Sequence, residues 1–242
     1  MSQETQSEQW VRVDAARFPN ESDAHRRARN ELLAAEIALK DQREQVAALR
    51  RALPEGGEVP RDYVFREGPR DLGEQPDDPA AYREVRLSEL FAPDRDELIV
   101  IHYMFGADKE KPCPMCTLWA DGYNAVAPHL ANRVNFVLVA KAEIAKLRAW
   151  ARGRGWSNLR LLSSHDSTFN HDFLMETEDG GQIPGVSVFV RDGRGVIRHT
   201  YSTEMVFKPG HHRGIDLFSP VWHLFDLLPS GRGEWMPKYK YD

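Results

Sequence analysis

The segment KPCPMCTLWADGYNAVAPHL, residues 111–130, decides how the rest of the chain is interpreted. It contains Cys113 and Cys116, three positions apart, and the chain has no other cysteine. The apolar run LIVIHYM at 98–104 precedes it and is typical of a strand buried on both faces. Apolar residues recur at helical spacing after Cys113, so the sequence predicts a strand-to-helix turn with the cysteine pair at the start of the helix.

Such a position favours redox chemistry of the two sulfurs. In the first turn of a helix, free backbone N–H groups and the positive end of the macrodipole stabilise a thiolate at Cys113. Cys116 lies one turn later and can resolve a mixed disulfide formed by Cys113. Pro114 is tolerated in the first turn and stiffens the dipeptide that it forms with Met115. We therefore predict Cys113 and Cys116 as catalytic residues, with Pro114 and Met115 beside the substrate.

Two other interpretations of the cysteine pair stay open. Both thiols can be inert core residues. They can also bind a metal, but zinc usually needs four protein ligands. His165 with His171, or His211 with His212, would complete a set of two cysteines and two histidines, although neither pair has a zinc-finger spacing. The sequence therefore predicts neither a metal nor another cofactor.

The composition limits the partners. The chain has 242 residues, 41% of them hydrophobic, which is enough for one sizeable core. Its net charge of −5 argues against nucleic acid as a partner. The opening MSQETQSEQW is polar, unlike a signal peptide, and the apolar run at 98–105 is too short to span a bilayer. We expect no membrane partner and a cytoplasmic location, where thiols stay reduced. The expected partners are protein or small-molecule thiols and disulfides.

A long helix is predicted at about 22–53, within an N-terminal segment at 1–60. Apolar residues recur there at alternating steps of four and three, charges surround them, Asn20 is a candidate cap, and Pro54 ends the pattern. This helix can pack on its own chain or form a homodimer. The remaining residues, 61–242, are predicted to form the second domain.

In that domain, strand and helix patterns alternate and then give way to a hairpin and a last helix. The order implies a mixed sheet with helices on its faces. Strands are predicted at 62–65, 98–104, 134–140, 159–164 and within 185–203, and helices at 113–127, 141–153 and after Ser219.

A second motif lies at GGQIPGVSVF, 180–189, where Pro184 comes immediately before a predicted strand. The thioredoxin-like fold pairs a Cys-x-x-Cys helix start with a cis-proline that begins the next strand and faces the sulfurs, and Ile183–Pro184 resembles that element. The resemblance implies a substrate groove in which the backbone of Ile183 hydrogen-bonds an extended substrate.

The resemblance extends to a bacterial family of predicted dithiol–disulfide oxidoreductases with a thioredoxin-like fold, long catalogued as a domain of unknown function. It implies an α/β thioredoxin-like three-layer sandwich with a mixed central sheet, preceded here by the long helical extension. It implies a reaction class and no substrate. The matching segments are RRALP (50–54), DYVF (62–65), IHYMFGADKEKPCPMCTLWADGYN (101–124), SSHDSTFNHDF (163–173), PGVSVFVRDG (184–193), RHTYST (198–203) and DLLPSGRGE (226–234).

The chain departs from thioredoxin itself around the cysteines. Pro112 precedes Cys113 where thioredoxin has Trp, Pro-Met separates the cysteines, and the preceding strand offers no acidic residue. His102 is therefore a candidate proton acceptor for Cys116.

These observations predict a cytoplasmic thiol–disulfide oxidoreductase. One alternative is a thiol peroxidase on the same fold, although Glu110 stands where the Pro-x-x-x-Thr/Ser-x-x-Cys pattern has Thr or Ser. Another is a non-enzymatic, redox-sensing adaptor that dimerises through the helix at 22–53.

Overall fold

The computed structural model describes residues 17–74, 78–204, 208–210 and 217–241. The opening decapeptide, His211 and His212 lie outside these ranges. The chain divides into two compact units, Met1–Pro54 and Glu55–Asp242. The second unit thus begins a few residues before the predicted boundary at residue 60.

The first unit contains one long helix, α1 (Asp23–Arg51). Its N-cap is Ser22, whose side chain accepts the backbone N–H of His25 at 3.1 Å. The predicted cap at Asn20 is wrong, because this residue has a φ of 61° and lies in the turn that the Glu21 N–H closes on the Phe18 carbonyl, before the cap. The apolar side chains that recur along this helix at steps of four and three are largely exposed, including Leu32, Leu39, Leu49 and Leu53. Dimerisation through α1 stays a prediction.

The second unit begins with two short strands and is built around a strand that leads to the cysteines. Its strands are β1 (Gly57–Glu58), β2 (Val64–Glu67), β3 (Arg83–Arg86), β4 (Glu97–Tyr103), β5 (Asn135–Ala140), β6 (Leu161–Ser163), β7 (Gly185–Arg191) and β8 (Ile197–Ser202). Its α-helices are α2 (Pro114–Ala131), α3 (Ile144–Arg154), α4 (Phe169–Asp172) and α5 (Pro220–Phe225). None of the helices described is long and apolar enough to cross a bilayer.

The eight strands form one mixed sheet in the order β1-β8-β7-β4-β5-β6-β2-β3. Strand β4 is central, parallel to β5 on one side and antiparallel to β7 on the other. The pairing of β1 with β8 explains why the unit boundary lies before residue 60. The predicted α/β thioredoxin-like class with a mixed central sheet is confirmed.

Alternation along β4 separates two cores. Ile101 and Tyr103 face α2 and α3, whereas Leu98 and Val100 face the opposite side. That second side is covered by β2, β3, the 3₁₀ turn at Leu87–Leu90 and the short helix α4. Three layers result: α2 and α3, the central sheet, and an opposite layer in which short elements pack together with β2 and β3 from the end of the same sheet.

Two helices end later than predicted. Helix α2 continues through Pro128 to Ala131, and α3 ends at Arg154 with Gly155, which has a φ of 72°, as its C-cap, instead of ending at Gly153. Proline lacks the N–H that would bond to the carbonyl of Asn124, but the side-chain amide of Asn158 donates to that carbonyl at 3.1 Å. A donor from outside the helix thus supplies the hydrogen bond that Pro128 cannot make, and the helix continues past the end predicted from this proline.

Candidate active site

Cys113 is the N-cap of α2, at the carboxyl edge of the central strand. Its N–H donates to the carbonyl of Met104 at 2.9 Å, one residue past the end of β4. Pro114 is the first residue of the helix, as the sequence predicts. The sequence therefore places Cys113 where the strand, the turn and the helix all constrain it.

The environment of Cys113 favours the thiolate. Its side chain is half-buried, and its pKa is lowered to about 6. The largest cause is a hydrogen bond from the Cys116 thiol, and the backbone N–H groups of Cys116 and Met115 also donate to the sulfur. Partial burial opposes the shift but does not outweigh these donors. Met115 acts here through its backbone, while its side chain packs on the core.

Cys116 has the opposite character. It is 3% exposed, and its pKa lies well above the ordinary value for a thiol. Its role as donor to Cys113 is the largest cause, followed by burial and by the negative charge of Cys113. The two thiols are thus unequal, one ionised and accessible, the other protonated and covered.

Two buried hydroxyl groups hold the backbone of Cys113. The backbone N–H and the side-chain hydroxyl of Thr117 both donate to the Cys113 carbonyl, at 3.0 and 2.9 Å. The phenolic oxygen of Tyr103 lies 2.8 Å from the Thr117 hydroxyl. This chain of hydrogen bonds connects the end of β4 to the first turn of α2 and keeps Cys113 in place.

The C-terminal segment reaches the same loop, which the sequence analysis missed. Tyr239 donates its hydroxyl to the carbonyl of the buried Pro112, immediately before Cys113. The Tyr239 ring packs edge-on against Trp150 at 5.2 Å, and the Tyr239 carbonyl accepts from Arg154. Arg154 in turn pairs with Asp121 of α2. No local pattern in the last residues signals this contact.

The proline element differs from the expectation. The described residues contain no cis peptide bond, so Ile183–Pro184 is trans and the expected cis-proline is wrong. X–Pro bonds prefer trans unless the fold demands otherwise. Pro184 does precede β7, whose Gly185 pairs with His102. The N–H of Ile183 donates to Met175 at 2.9 Å, so it is already occupied and only the Ile183 carbonyl remains as a candidate contact for an extended substrate.

The proposed role of His102 is contradicted. Its ring lies on the face of β4 opposite to Cys116, stacked on Phe169 at 5.6 Å and bonded through Nε2 to the Ser187 hydroxyl at 2.9 Å. Burial, and secondarily the charge of His199, lowers the pKa of His102 to about 3. Because side chains alternate across a strand, His102 cannot take the proton of Cys116.

Within the described ranges, no group of three or more His, Cys, Asp or Glu residues is arranged to hold a metal ion. Both cysteines are free thiols. The site is therefore a dithiol in which the half-buried sulfur of Cys113 has the lower pKa.

The comparison with protein families agrees with the resemblance noted from the motifs. The model of a family described as "Bacterial protein of unknown function (DUF899)" matches residues 16–241. The chain belongs to the DUF899 family. No curated protein matches this DUF899 chain.

Solved structures show distant similarity to the DUF899 chain. The reduced 2-Cys peroxiredoxin of Plasmodium vivax is 13% identical with a TM-score of 0.44, over 70% of this chain and 97% of that one. A structure titled as a putative thioredoxin reductase from Burkholderia cenocepacia is 18% identical with a TM-score of 0.44, over 65% and 89%.

Proposed function

We propose that the protein is a thiol–disulfide oxidoreductase in which Cys113 attacks and Cys116 resolves. The observation that carries the proposal is the inequality of the two sulfurs at the start of α2. A pKa of about 6 leaves about nine-tenths of Cys113 as thiolate at pH 7. The thiolate is the nucleophile in disulfide exchange, so the more accessible sulfur is also the reactive one.

In the first step, the Cys113 thiolate attacks one sulfur of a substrate disulfide. A bond forms between Cys113 and that sulfur, the substrate S–S bond breaks, and the other sulfur leaves as a thiolate that takes a proton from solvent. The product is a mixed disulfide. At this point the negative charge on Cys113 has disappeared.

The loss of that charge activates Cys116. Of the three causes that raise the Cys116 pKa, two depend on the Cys113 thiolate: the hydrogen bond donated to it and its negative charge. Once the mixed disulfide has formed, only burial continues to raise the pKa. Cys116 then loses its proton to solvent and attacks the Cys113 sulfur; the mixed disulfide breaks, and the second substrate sulfur leaves as a thiolate. The enzyme is left with a Cys113–Cys116 disulfide, which an external dithiol reduces with two electrons.

The test is dithiothreitol-driven reduction of insulin by the wild type, Cys113→Ser and Cys116→Ser. We expect Cys113→Ser to lose the catalysed rate. Cys116→Ser should retain the first attack and accumulate a mixed disulfide that is visible by mass spectrometry and disappears with excess dithiothreitol. Turnover by Cys113→Ser at the wild-type rate would refute the proposal.

A matched control separates chemistry from folding. Thr117→Ser keeps the hydroxyl that holds the Cys113 carbonyl and leaves both sulfurs in place. It should retain most of the wild-type rate. All four proteins should share the same far-UV circular dichroism and unfolding midpoint to within a few degrees.

A thiol peroxidase is the second candidate, because an ionised sulfur with a resolving thiol beside it also fits peroxide chemistry. The Cys113 thiolate would attack a peroxide oxygen, the O–O bond would break, and an alcohol or water would leave. Cys116 would then condense with the sulfenic acid, forming the disulfide and releasing water. Stopped-flow mixing with hydrogen peroxide separates the two functions, since the exchange enzyme should react no faster than an ordinary thiolate.

A further inference from the structure

A pocket of about 370 Å³ lies at the edge of the sheet opposite to the cysteines. It opens beside the start of β5 and the residue before β6, whereas Cys113 follows the end of β4. Seven residues of β4 separate the two edges, a span of roughly 20 Å. A small ligand in this pocket therefore cannot touch either sulfur. Its apolar wall is formed by Leu90, Phe91, Ala127, Ala131, Val134, Phe136 and Val137.

Three arginines, Arg70, Arg95 and Arg160, line the same pocket. Next to them lies the buried carboxylate of Glu67, which is 2% exposed. Arg160 donates to it at 2.7 and 3.1 Å, and Arg83 donates at 2.7 Å. Glu67 is therefore already shared by two guanidinium groups and has little capacity for a third.

Arg70 has no hydrogen bond to Glu67, whose carboxylate is shared by Arg83 and Arg160. Arg70 is exposed, and no hydrogen bond or ion pair joins its guanidinium to another residue in the part of the chain that the structure describes. Desolvation, then the charge of Arg160, lowers the pKa of Arg70, and Glu67 compensates only in part. An added anion would relieve the repulsion between these arginines.

The loop that presents Arg70 is fixed in position. Arg148, 2% exposed, donates to the carbonyl of Pro69 and to those of Asp71 and Glu74 at 3.1 and 3.2 Å. These bonds hold the backbone on both sides of Arg70. A guanidinium on an anchored loop loses less conformational freedom when it binds a ligand.

The other polar groups of the pocket are occupied. The Glu89 carboxylate accepts the backbone N–H of Arg86 at 2.6 Å, and the Asn135 amide bonds to the carbonyls of Arg95 and Glu97. Among the described residues, Arg95 has only the exposed Asp94, at 3.5 Å, as an ion-pair partner. The lining thus contains three arginines and one carboxylate, that of Glu89, and its net charge is positive.

We propose that this arginine pocket binds a small organic anion, a carboxylate carried on an apolar body, with Arg70 at the carboxylate and the apolar wall around the body. Guanidinium groups match carboxylate geometry through paired N–H donors. Small-molecule pockets measure about 300–1,000 Å³, so this one suits a compact ligand. The proposal is independent of the dithiol chemistry.

The experiment uses isothermal titration calorimetry of the full chain with three probes. Sodium octanoate has both the charge and the apolar body, inorganic phosphate has only charge, and 1-octanol has only the body. We expect saturable binding of octanoate, binding of phosphate at least tenfold weaker, and weaker binding still of 1-octanol. Equal affinity for octanoate and either partial probe, or no saturable binding of octanoate, would overturn the proposal.

Variants locate the binding site. Arg70→Gln should weaken octanoate binding at least tenfold, while Arg194→Gln, which removes an exposed arginine that is paired with Asp192 and does not line the pocket, should leave it unchanged. Equal loss in both variants would mean that the effect is one of net charge, and the proposal would fail. The rate of Cys113 alkylation should be the same in both variants, so that failure here does not affect the proposed exchange reaction.

Discussion

The side-chain amide of Asn158 donates to the backbone carbonyl of Asn124, 3.1 Å away, in the place of the N–H that Pro128 lacks. A second bond, from the Asn158 N–H to the Asn124 side-chain oxygen at 2.9 Å, strengthens the contact. A residue outside α2 thus completes the hydrogen bonding of a helix that contains a proline.

Removal of that donor should destabilise the protein through α2. We expect Asn158→Ala to lower the free energy of unfolding by about 1 kcal/mol, since a helix carbonyl loses its partner. In a Pro128→Ala background the helix regains its own N–H, and the cost of Asn158→Ala should fall to less than half. Urea denaturation of the four proteins measures the coupling. Additive effects would show that Asn158 does not replace the missing donor.

The acidity of Cys113 should depend on Cys116. Because the Cys116 thiol is the largest cause of the lowered pKa, Cys116→Ala should raise the Cys113 pKa from about 6, while the backbone donors of Met115 and Cys116 keep it below an ordinary thiol. The pH dependence of iodoacetamide alkylation measures this shift. In the wild type, the rate of Cys113 alkylation should rise with a midpoint near pH 6. An unchanged pH profile in Cys116→Ala would show that the backbone N–H groups at the start of α2 lower the Cys113 pKa without help from the Cys116 thiol.

His102 should make the protein sensitive to acid. Its pKa is about 3 in the folded state and near 6.5 when unfolded, so the unfolded chain binds the extra proton between these values. Its contribution to stability is therefore full above pH 6.5 and is lost as the pH falls towards 3, by up to about 5 kcal/mol. His102→Gln should flatten this part of the curve of unfolding free energy against pH. Parallel curves for the two proteins would contradict the assignment.

Tyr239 should anchor the C-terminal segment through its hydroxyl. Tyr239→Phe keeps the ring on Trp150 but leaves the Pro112 carbonyl without its donor, which should cost about 1–2 kcal/mol. It should also speed the cleavage of the last residues by trypsin. Tyr241→Phe is the matched control, because the Tyr241 hydroxyl only accepts from Lys238 at an exposed site. A loss of stability as large in the control would argue against the anchor.

Local patterns were sufficient for the elements that carry the cysteines. The branched apolar run before Cys113 and the helical spacing after it both arise from residues near in sequence, so strand β4, the turn and α2 could be predicted. The hairpin of β7 and β8 was predicted for the same reason. Such features need no knowledge of distant partners.

Features that depend on distant partners could not be predicted. The helix breaker Pro128 was compensated by Asn158, thirty residues later. His102 looked available as a base because the sequence does not show which face of β4 meets α2. The contact of Tyr239 with Pro112 joins residues 127 positions apart, and no spacing rule connects them.

That long separation has a consequence for the newly made chain. Ribosomes add about 5–20 residues per second, so Cys113 is synthesised roughly 6–25 seconds before Tyr239. During this interval the Pro112 carbonyl has no hydrogen bond from the Tyr239 hydroxyl. Nascent protein would therefore hold Cys113 less rigidly than the finished molecule, and truncation before Tyr239 would make that difference permanent.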